Sequence, residues 1–379
     1  MARRVAIIGL GLTAIRPASE HQSFKEMMFE AAQRAYDDAG IEAREIESFV
    51  TCAEDFSEGI SIFDEYTPDQ LGAVMKPMHT LTQDGLYGIA DGVMQIRAGV
   101  VEMVAVEAHS KNSNLENPNA ILSYALDPVL NRPLDFNPHA IAALEMNAFL
   151  QAYGISQTSC AAVVAKNHAH ALKNIAAAYP LQLCPEDIAA SPYLCYPLRQ
   201  AEIARRADGC VVVVLASETR AAKARSQPVW VRGVGFANDS PTLESRDWTS
   251  APYIRIAAAM AYRHARINDP MNQIDLFEVD DSYAYKELQH LIALGLDKLA
   301  LTPGNADAAH RSRINISGGS LGMGHTLEAN GLYRLAEIVH QLRGAAGSRQ
   351  LDNAKVGLAQ SWRGVPTTSG AVAILGVEP

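Results

Sequence analysis

Gly85-Leu86-Tyr87-Gly88-Ile89-Ala90, running on to Gln95-Ile96-Arg97, recurs as Gly331-Leu332-Tyr333-Arg334-Leu335-Ala336, running on to Gln341-Leu342-Arg343. A second pair of segments stands in the same order along the chain. Ala35-Tyr36-x-x-Ala39-x-Ile41 precedes the first copy, and Ala261-Tyr262-x-x-Ala265-x-Ile267 precedes the second. Each is followed by a strand-like stretch, Ile46-Glu47-Ser48-Phe49 in one case and Ile274-Asp275-Leu276-Phe277 in the other. Two collinear matches indicate one unit used twice. The halves divide near Ala222-Lys223-Ala224-Arg225-Ser226-Gln227-Pro228. This predicts an N-terminal half over 1–225, including a loop excursion at 111–139 and a connecting region, and a C-terminal half over 226–379.

The periodicity of each unit repeats as well. Helical spacing predicts helices over about 24–39 and 83–98 in the first half, and about 253–266 and 328–343 in the second. Strands are predicted over 46–52, 101–107, 274–280 and 355–360. Val211-Val212-Val213-Val214-Leu215 and Gly370-Ala371-Val372-Ala373-Ile374-Leu375 read as fully buried strands. Strands alternating with helices predict an α/β architecture with a mainly parallel sheet covered on both faces. Gly9-Leu10-Gly11 lacks the third glycine of a dinucleotide fingerprint and reads as a strand end. The 111–139 stretch, rich in asparagine and proline, reads as a long surface excursion, and loops of that length are usually functional.

Composition narrows the partners. The 379 residues carry 32 Lys+Arg against 42 Asp+Glu, a formal net charge of −10, which disfavours nucleic acid. No stretch of 18 apolar residues is present, so no membrane span is expected. The N-terminus reads as a first strand rather than a signal peptide. The five cysteines, Cys52, Cys160, Cys184, Cys195 and Cys210, form no C-x-x-C pair, so neither a disulfide framework nor a metal site is expected and a cytoplasmic, reducing setting is the simplest reading.

The sharpest chemical signal is Asn315-Ile316-Ser317-Gly318-Gly319-Ser320-Leu321-Gly322-Met323-Gly324-His325. Gly318, Gly319, Gly322 and Gly324 let backbone approach something closely and present N–H groups to an oxygen. His325 ends the run and is placed to stabilise a developing oxyanion or to move a proton. Against this stands a tight turn with a structural histidine. Met323 reads as pocket lining. Arg205-Arg206 is either a solvated face or a contact for phosphates.

The duplicated half, the Gly-Gly-Ser-Leu-Gly-Met-Gly-His run and Asp208-Gly209 before a valine-rich strand resemble the thiolase superfamily, nearest its sterol-carrier-protein-x and acetyl-CoA acetyltransferase-like branch. The resemblance spans essentially the whole chain. It implies a five-layer αβαβα fold from two duplicated halves, a homodimer, and a coenzyme A thioester as substrate with no tightly bound cofactor. His325 falls on the family's Gly-His-Pro histidine, with Thr326 in place of the proline. The family's nucleophilic cysteine position falls on Thr82, in Thr82-Gln83-Asp84-Gly85. The second cysteine loop reads Gln360-Ser361-Trp362-Arg363-Gly364-Val365-Pro366-Thr367-Thr368, again without cysteine, and Arg363 joins the substrate-binding candidates. The Asn-Glu-Ala-Phe position reads Asp280-Asp281-Ser282-Tyr283.

Cysteine chemistry is thereby removed. A threonine hydroxyl needs a strong adjacent base, and helix-dipole assistance of about 0.3–1 kcal/mol cannot replace a thiolate. The resemblance extends to thiolase-fold aldolases that cleave β-hydroxyacyl-CoA side chains with tyrosines and no acyl-enzyme, beside a small zinc/OB-fold partner of the DUF35 type. Retro-aldol cleavage needs a base for the β-hydroxyl and a donor for the enolate. Tyr283 and Tyr333 are the tyrosine candidates, His325 the enolate donor, and Asp280 or Asp281 the polarising carboxylate. His139, where the family's long loop folds back over the site, ranks behind them. Two other readings stay open: an acyltransferase of the same fold, and a non-catalytic subunit.

Overall fold

The computed structural model describes residues 3–240, 242–297, 313–365 and 368–379. Its elements grow from local signals. β1 (Val5–Leu12) is followed by α1 (Phe24–Ala39), which starts at Ser23 with a capping box to Glu26 and stops at Gly40 in the left-handed conformation. Met27, Met28, Ala31, Ala32, Ala35 and Tyr36 make its buried stripe. Then come β2 (Ser48–Cys52), β3 (Met78–Leu81), α2 (Gly85–Ala98) and β4 (Met103–Lys111). The excursion leads into α3 (Pro138–Tyr153) and α4 (Gln157–Ala171). A small hairpin (β5, Tyr193–Cys195; β6, Leu198–Arg199) precedes β7 (Asp208–Ser217). The second half runs β8 (Val229–Asn238), α5 (Pro252–Ala265), β9 (Leu276–Glu278), α6 (Ala284–Ala293), α7 (Gly319–Met323), α8 (Asn330–Leu342), β10 (Val356–Gly364) and β11 (Thr368–Gly376).

Nine strands join in the order β3-β2-β4-β7-β1-β8-β11-β10-β9. Within it, β2-β4-β7-β1 of the first half matches β9-β10-β11-β8 of the second, and β3 is an extra strand on one edge. The halves meet where β1 pairs with β8, at Ala6 with Trp230 and Ile7 with Val229. α1 packs on the β1/β7/β4 side and α5 on the β8/β11 side, while α2 and α8 lie between the halves and touch each other. The layers are therefore helix, sheet, paired helices, sheet, helix. The same device seats both outer helices. A Cβ at Gly9 or Gly11 of β1 would lie 2.3 Å or 2.0 Å from the carbonyl oxygens of Ala35 and Ala31, and one at Gly233 or Gly235 of β8 would lie 2.2 Å or 2.1 Å from those of Ala261 and Ala257. Gly9 and Gly11 thus lie inside β1, where only hydrogen lets helix backbone rest on the strand.

The sheet is mixed rather than mainly parallel. β2 pairs in parallel with β3 and β4, and β9 with β10, but β1–β7, β1–β8, β4–β7, β8–β11 and β10–β11 are antiparallel. β11 follows β10 too closely for a crossover helix, so it must return antiparallel. No helix among the described residues is long and apolar enough to cross a membrane.

Candidate active site

Loops from both halves enclose a cavity of about 1260 Å³. Thr82, His139, Tyr283, His325 and Arg363 all line it. No cysteine does: Cys52, Cys160 and Cys210 are buried elsewhere, and Cys184 and Cys195 lie away from it.

Tyr283 comes from the turn that starts α6, since it is that helix's N-cap residue. The residue is 8% exposed, and its ring packs edge-on against Trp362 at 6.1 Å. Its hydroxyl lies 3.1 Å from Nδ1 of His139, at the start of α3. Burial, then the Glu145 and Asp280 charges, raises the tyrosine pKa, and burial lowers that of His139. The proton therefore stays on the phenol, which donates to a neutral imidazole.

His325 is fixed by its backbone. Its N–H donates to the Arg205 carbonyl at 2.7 Å, and its own carbonyl accepts from Ala207 at 3.0 Å. Leu327 sits in the left-handed region at φ 46°, and its N–H donates to Nδ1 of His325 at 3.4 Å. That leaves Nε2–H as the donor. Burial drives the imidazole down to about 4, Arg334 adds to the shift, and Asp280 opposes it. The unfolded chain, near 6.5, takes up the proton first, so this contribution to stability is full above about 6.5 and is lost as the pH falls toward 4. A nitrogen-15 titration should find His325 neutral at pH 5. An imidazolium there would remove the tautomer assigned above.

The remaining candidates face protein. The hydroxyl of Tyr333, on α8, donates to the Thr13 carbonyl at 2.9 Å and lies against Gly209, and the residue is not part of the cavity lining. Asp281 accepts N–H bonds from Ser320 at 2.6 Å and Leu321 at 3.1 Å, and an amide N–H from Asn167 at 2.7 Å. Asp280 pairs with Arg334 at 2.8 Å and accepts from the Ser282 N–H. Gly318 and Gly322 pack against Ala171 of α4, Gly319 against the Asp281 carboxylate and Gly324 against Ala207. The glycine run does approach an oxygen closely, but that oxygen is Asp281. Met323 is core, 3.3 Å from the Asn174 amide nitrogen through its sulfur.

Thr82 is exposed and two residues outside the helix it precedes. Asp84 caps α2 through the Leu86 N–H at 2.9 Å and also takes the Gly331 N–H at 2.9 Å, where α8 begins. One buried carboxylate, pushed to about 6 chiefly by desolvation, thus fills the place at which a nucleophile would gain from the helix end. Arg363 donates to the Thr82 carbonyl and pairs with Glu54 at 2.7 Å and Glu328 at 3.3 Å.

Sequence reasoning passed over Glu54 and Glu328 and ranked His139 behind other candidates. A carboxylate in the turn after His325 was the available signal for Glu328. His139 and Tyr283 are 144 residues apart in the chain, and nothing local announces their bond.

Comparisons with known proteins agree with the architecture. The thiolase C-terminal domain-like family matches residues 235–377. The acetyl-CoA acetyltransferase of Methanothermobacter thermautotrophicus is 26% identical over 385 residues, covering 98% of both chains. Sterol carrier protein 2 of Oryctolagus cuniculus is 25% identical over 94% of this chain and 69% of its own length. Among solved structures, the Ltp2-ChsH2(DUF35) aldolase superposes with a TM-score of 0.83 at 22% identity, over 98% of this chain and 97% of that one. Residues 235–377 thus match a thiolase C-terminal domain-like family, and the whole chain has the fold of the thiolase-like structures it superposes on.

Proposed function

We propose that this chain cleaves a β-hydroxyacyl-CoA by a retro-aldol route, without an acyl-enzyme. The observation that carries the reading is the hydrogen-bonded Tyr283–His139 pair in a cavity that also holds His325 and has no cysteine. The Tyr283 oxygen accepts the β-hydroxyl proton as its own proton passes to His139. The Cα–Cβ bond breaks, a carbonyl product leaves, and Nε2–H of His325 donates to the enolate oxygen of the thioester. Arg205 and Arg206 line the same cavity and are suited to the phosphates of coenzyme A. Phe56 and Tyr124 stack at 5.3 Å at an exposed, apolar part of the lining, which suits an aromatic or ring-bearing acyl end.

A DUF35-type zinc/OB-fold partner belongs to the proposal, supported by the assembly of the similar Ltp2 aldolase with ChsH2(DUF35). So does a homodimer, for which β3 offers an unpaired sheet edge within the protomer. A cytoplasmic setting is proposed on the five free cysteines.

The second reading is acyl transfer, favoured by the exposed Thr82 on the cavity wall and by the acetyltransferase relative. One experiment separates them. The chain, with and without a co-expressed DUF35 protein, is incubated with 3-hydroxy-3-phenylpropionyl-CoA, and benzaldehyde, acetyl-CoA and intact protein mass are followed. The expected result is benzaldehyde with no mass adduct, unchanged within about twofold in Thr82→Ala. An acyl adduct lost in Thr82→Ala would establish transfer instead. Neither product nor coenzyme A binding would leave the non-catalytic reading.

A further inference from the structure

The retro-aldol step leaves an enolate that must gain a proton on carbon, and neither His325 nor Tyr283 is placed for that task. His325 faces the enolate oxygen, and Tyr283 has just handled the hydroxyl. Glu328 lies three residues past His325, beyond the left-handed turn at Leu327, and lines the same cavity. Its side chain is 6% exposed. Oε1 is 3.3 Å from Arg363, whose guanidinium is nearer Glu54, at 2.7 Å. Oε2 is buried with no hydrogen-bond partner among the described residues. A buried carboxyl oxygen left unpaired is costly unless a ligand or a proton completes it.

We propose that Glu328 is the general acid of this site, delivering a proton from its carboxyl group to Cα of the acyl-CoA enolate. The proposal rests on the retro-aldol reading and adds to it the group that ends the reaction. Protons and electrons balance. The Cα–Cβ electron pair enters the thioester as the enolate. The β-hydroxyl proton goes to the Tyr283–His139 pair and from there to water. The proton of Glu328 forms the new Cα–H bond, and water reprotonates the carboxylate. Burial raises the pKa of Glu328, Arg363 pulls it down, and the Glu58 and Glu54 carboxylates push it up again, for a net shift above the ordinary carboxyl value. The weak, shared hold of Arg363 fits a group that alternates between charged and neutral.

The test is solvent deuterium exchange. Wild type and Glu328→Gln are placed in heavy water with acetyl-CoA alone, and separately with 3-hydroxy-3-phenylpropionyl-CoA, and α-deuterium is counted by mass spectrometry. General acid–base catalysis contributes about 10²–10⁴-fold, so exchange and cleavage should both fall at least about 100-fold in Glu328→Gln, with acetyl-CoA affinity held within about threefold. Glu328→Asp, which keeps an acid on a shorter arm, should recover part of the exchange. If Glu328→Gln does not fold, Glu328→Asp carries the test, with exchange expected to drop at least about tenfold. Exchange at the wild-type rate in the folded variant, with cleavage continuing, overturns the assignment and leaves the retro-aldol reading intact. A wild type that neither cleaves nor exchanges overturns both.

Discussion

Tyr283→Phe should lower turnover of 3-hydroxy-3-phenylpropionyl-CoA by about 100-fold or more, the lower end of what a positioned acid–base group contributes. The substitution deletes one oxygen atom and leaves the ring against Trp362 and Tyr285, at 6.1 Å and 6.0 Å. The lost bond to His139 should cost only about 1 kcal/mol of stability, as is typical of one intramolecular hydrogen bond. Function and folding therefore separate cleanly in this variant. His139→Gln should fall by a similar factor, because the phenol then has no base to receive its proton. Steady-state kinetics with a thermal melt decides the matter. Full turnover in a folded Tyr283→Phe would end the proposed role of the pair.

Arg334→Ala should cost about 3–5 kcal/mol of stability, the penalty for removing one partner of a buried ion cluster. The side chain is 1% exposed, 2.8 Å from Asp280 and 3.6 Å from Asp281, and it donates to the Ser320 hydroxyl at 2.6 Å. Without it, Asp280 and Asp281 are left buried beside each other with no ion-pair partner among the described residues. Urea unfolding is the measurement. A loss under about 1 kcal/mol would mean that the carboxylates are held neutral and that the guanidinium is dispensable. Arg334→Met, which restores volume but not charge, should remain close to the alanine variant, since the uncompensated carboxylates set the cost.

Much of the frame is legible in the sequence. The two copies of Gly-Leu-Tyr-x-x-Ala became the facing helices α2 and α8, because a repeat that buries one stripe in each copy brings the copies together. Gly9-Leu10-Gly11 reads as a strand end in the sequence, whereas in the fold it and Gly233-Val234-Gly235 seat the two outer helices by the same device. Strand direction was not legible. Helix and strand alternation carries no sign of how closely β11 follows β10. The site divided along the same line. His325 and Tyr283 follow from local motifs and do reach the cavity. The glycine run has a strong local signature, but its true partner, Asp281, is distant in sequence, so the pattern could not tell an internal oxygen from a ligand's.

The matching strand orders of the two halves have a consequence for how the protein can change over time. The groups proposed to handle bonds and protons, Tyr283, His325 and Glu328, all belong to the second copy, with His139 alone lent by the first. Most of the wall around them, from Phe56 through Tyr124, belongs to the first copy. On the proposed mechanism, the two copies carry different tasks. One is constrained by reaction geometry and the other mainly by shape. Changes in the first copy can then alter which acyl groups are accepted while the reaction itself is inherited unchanged.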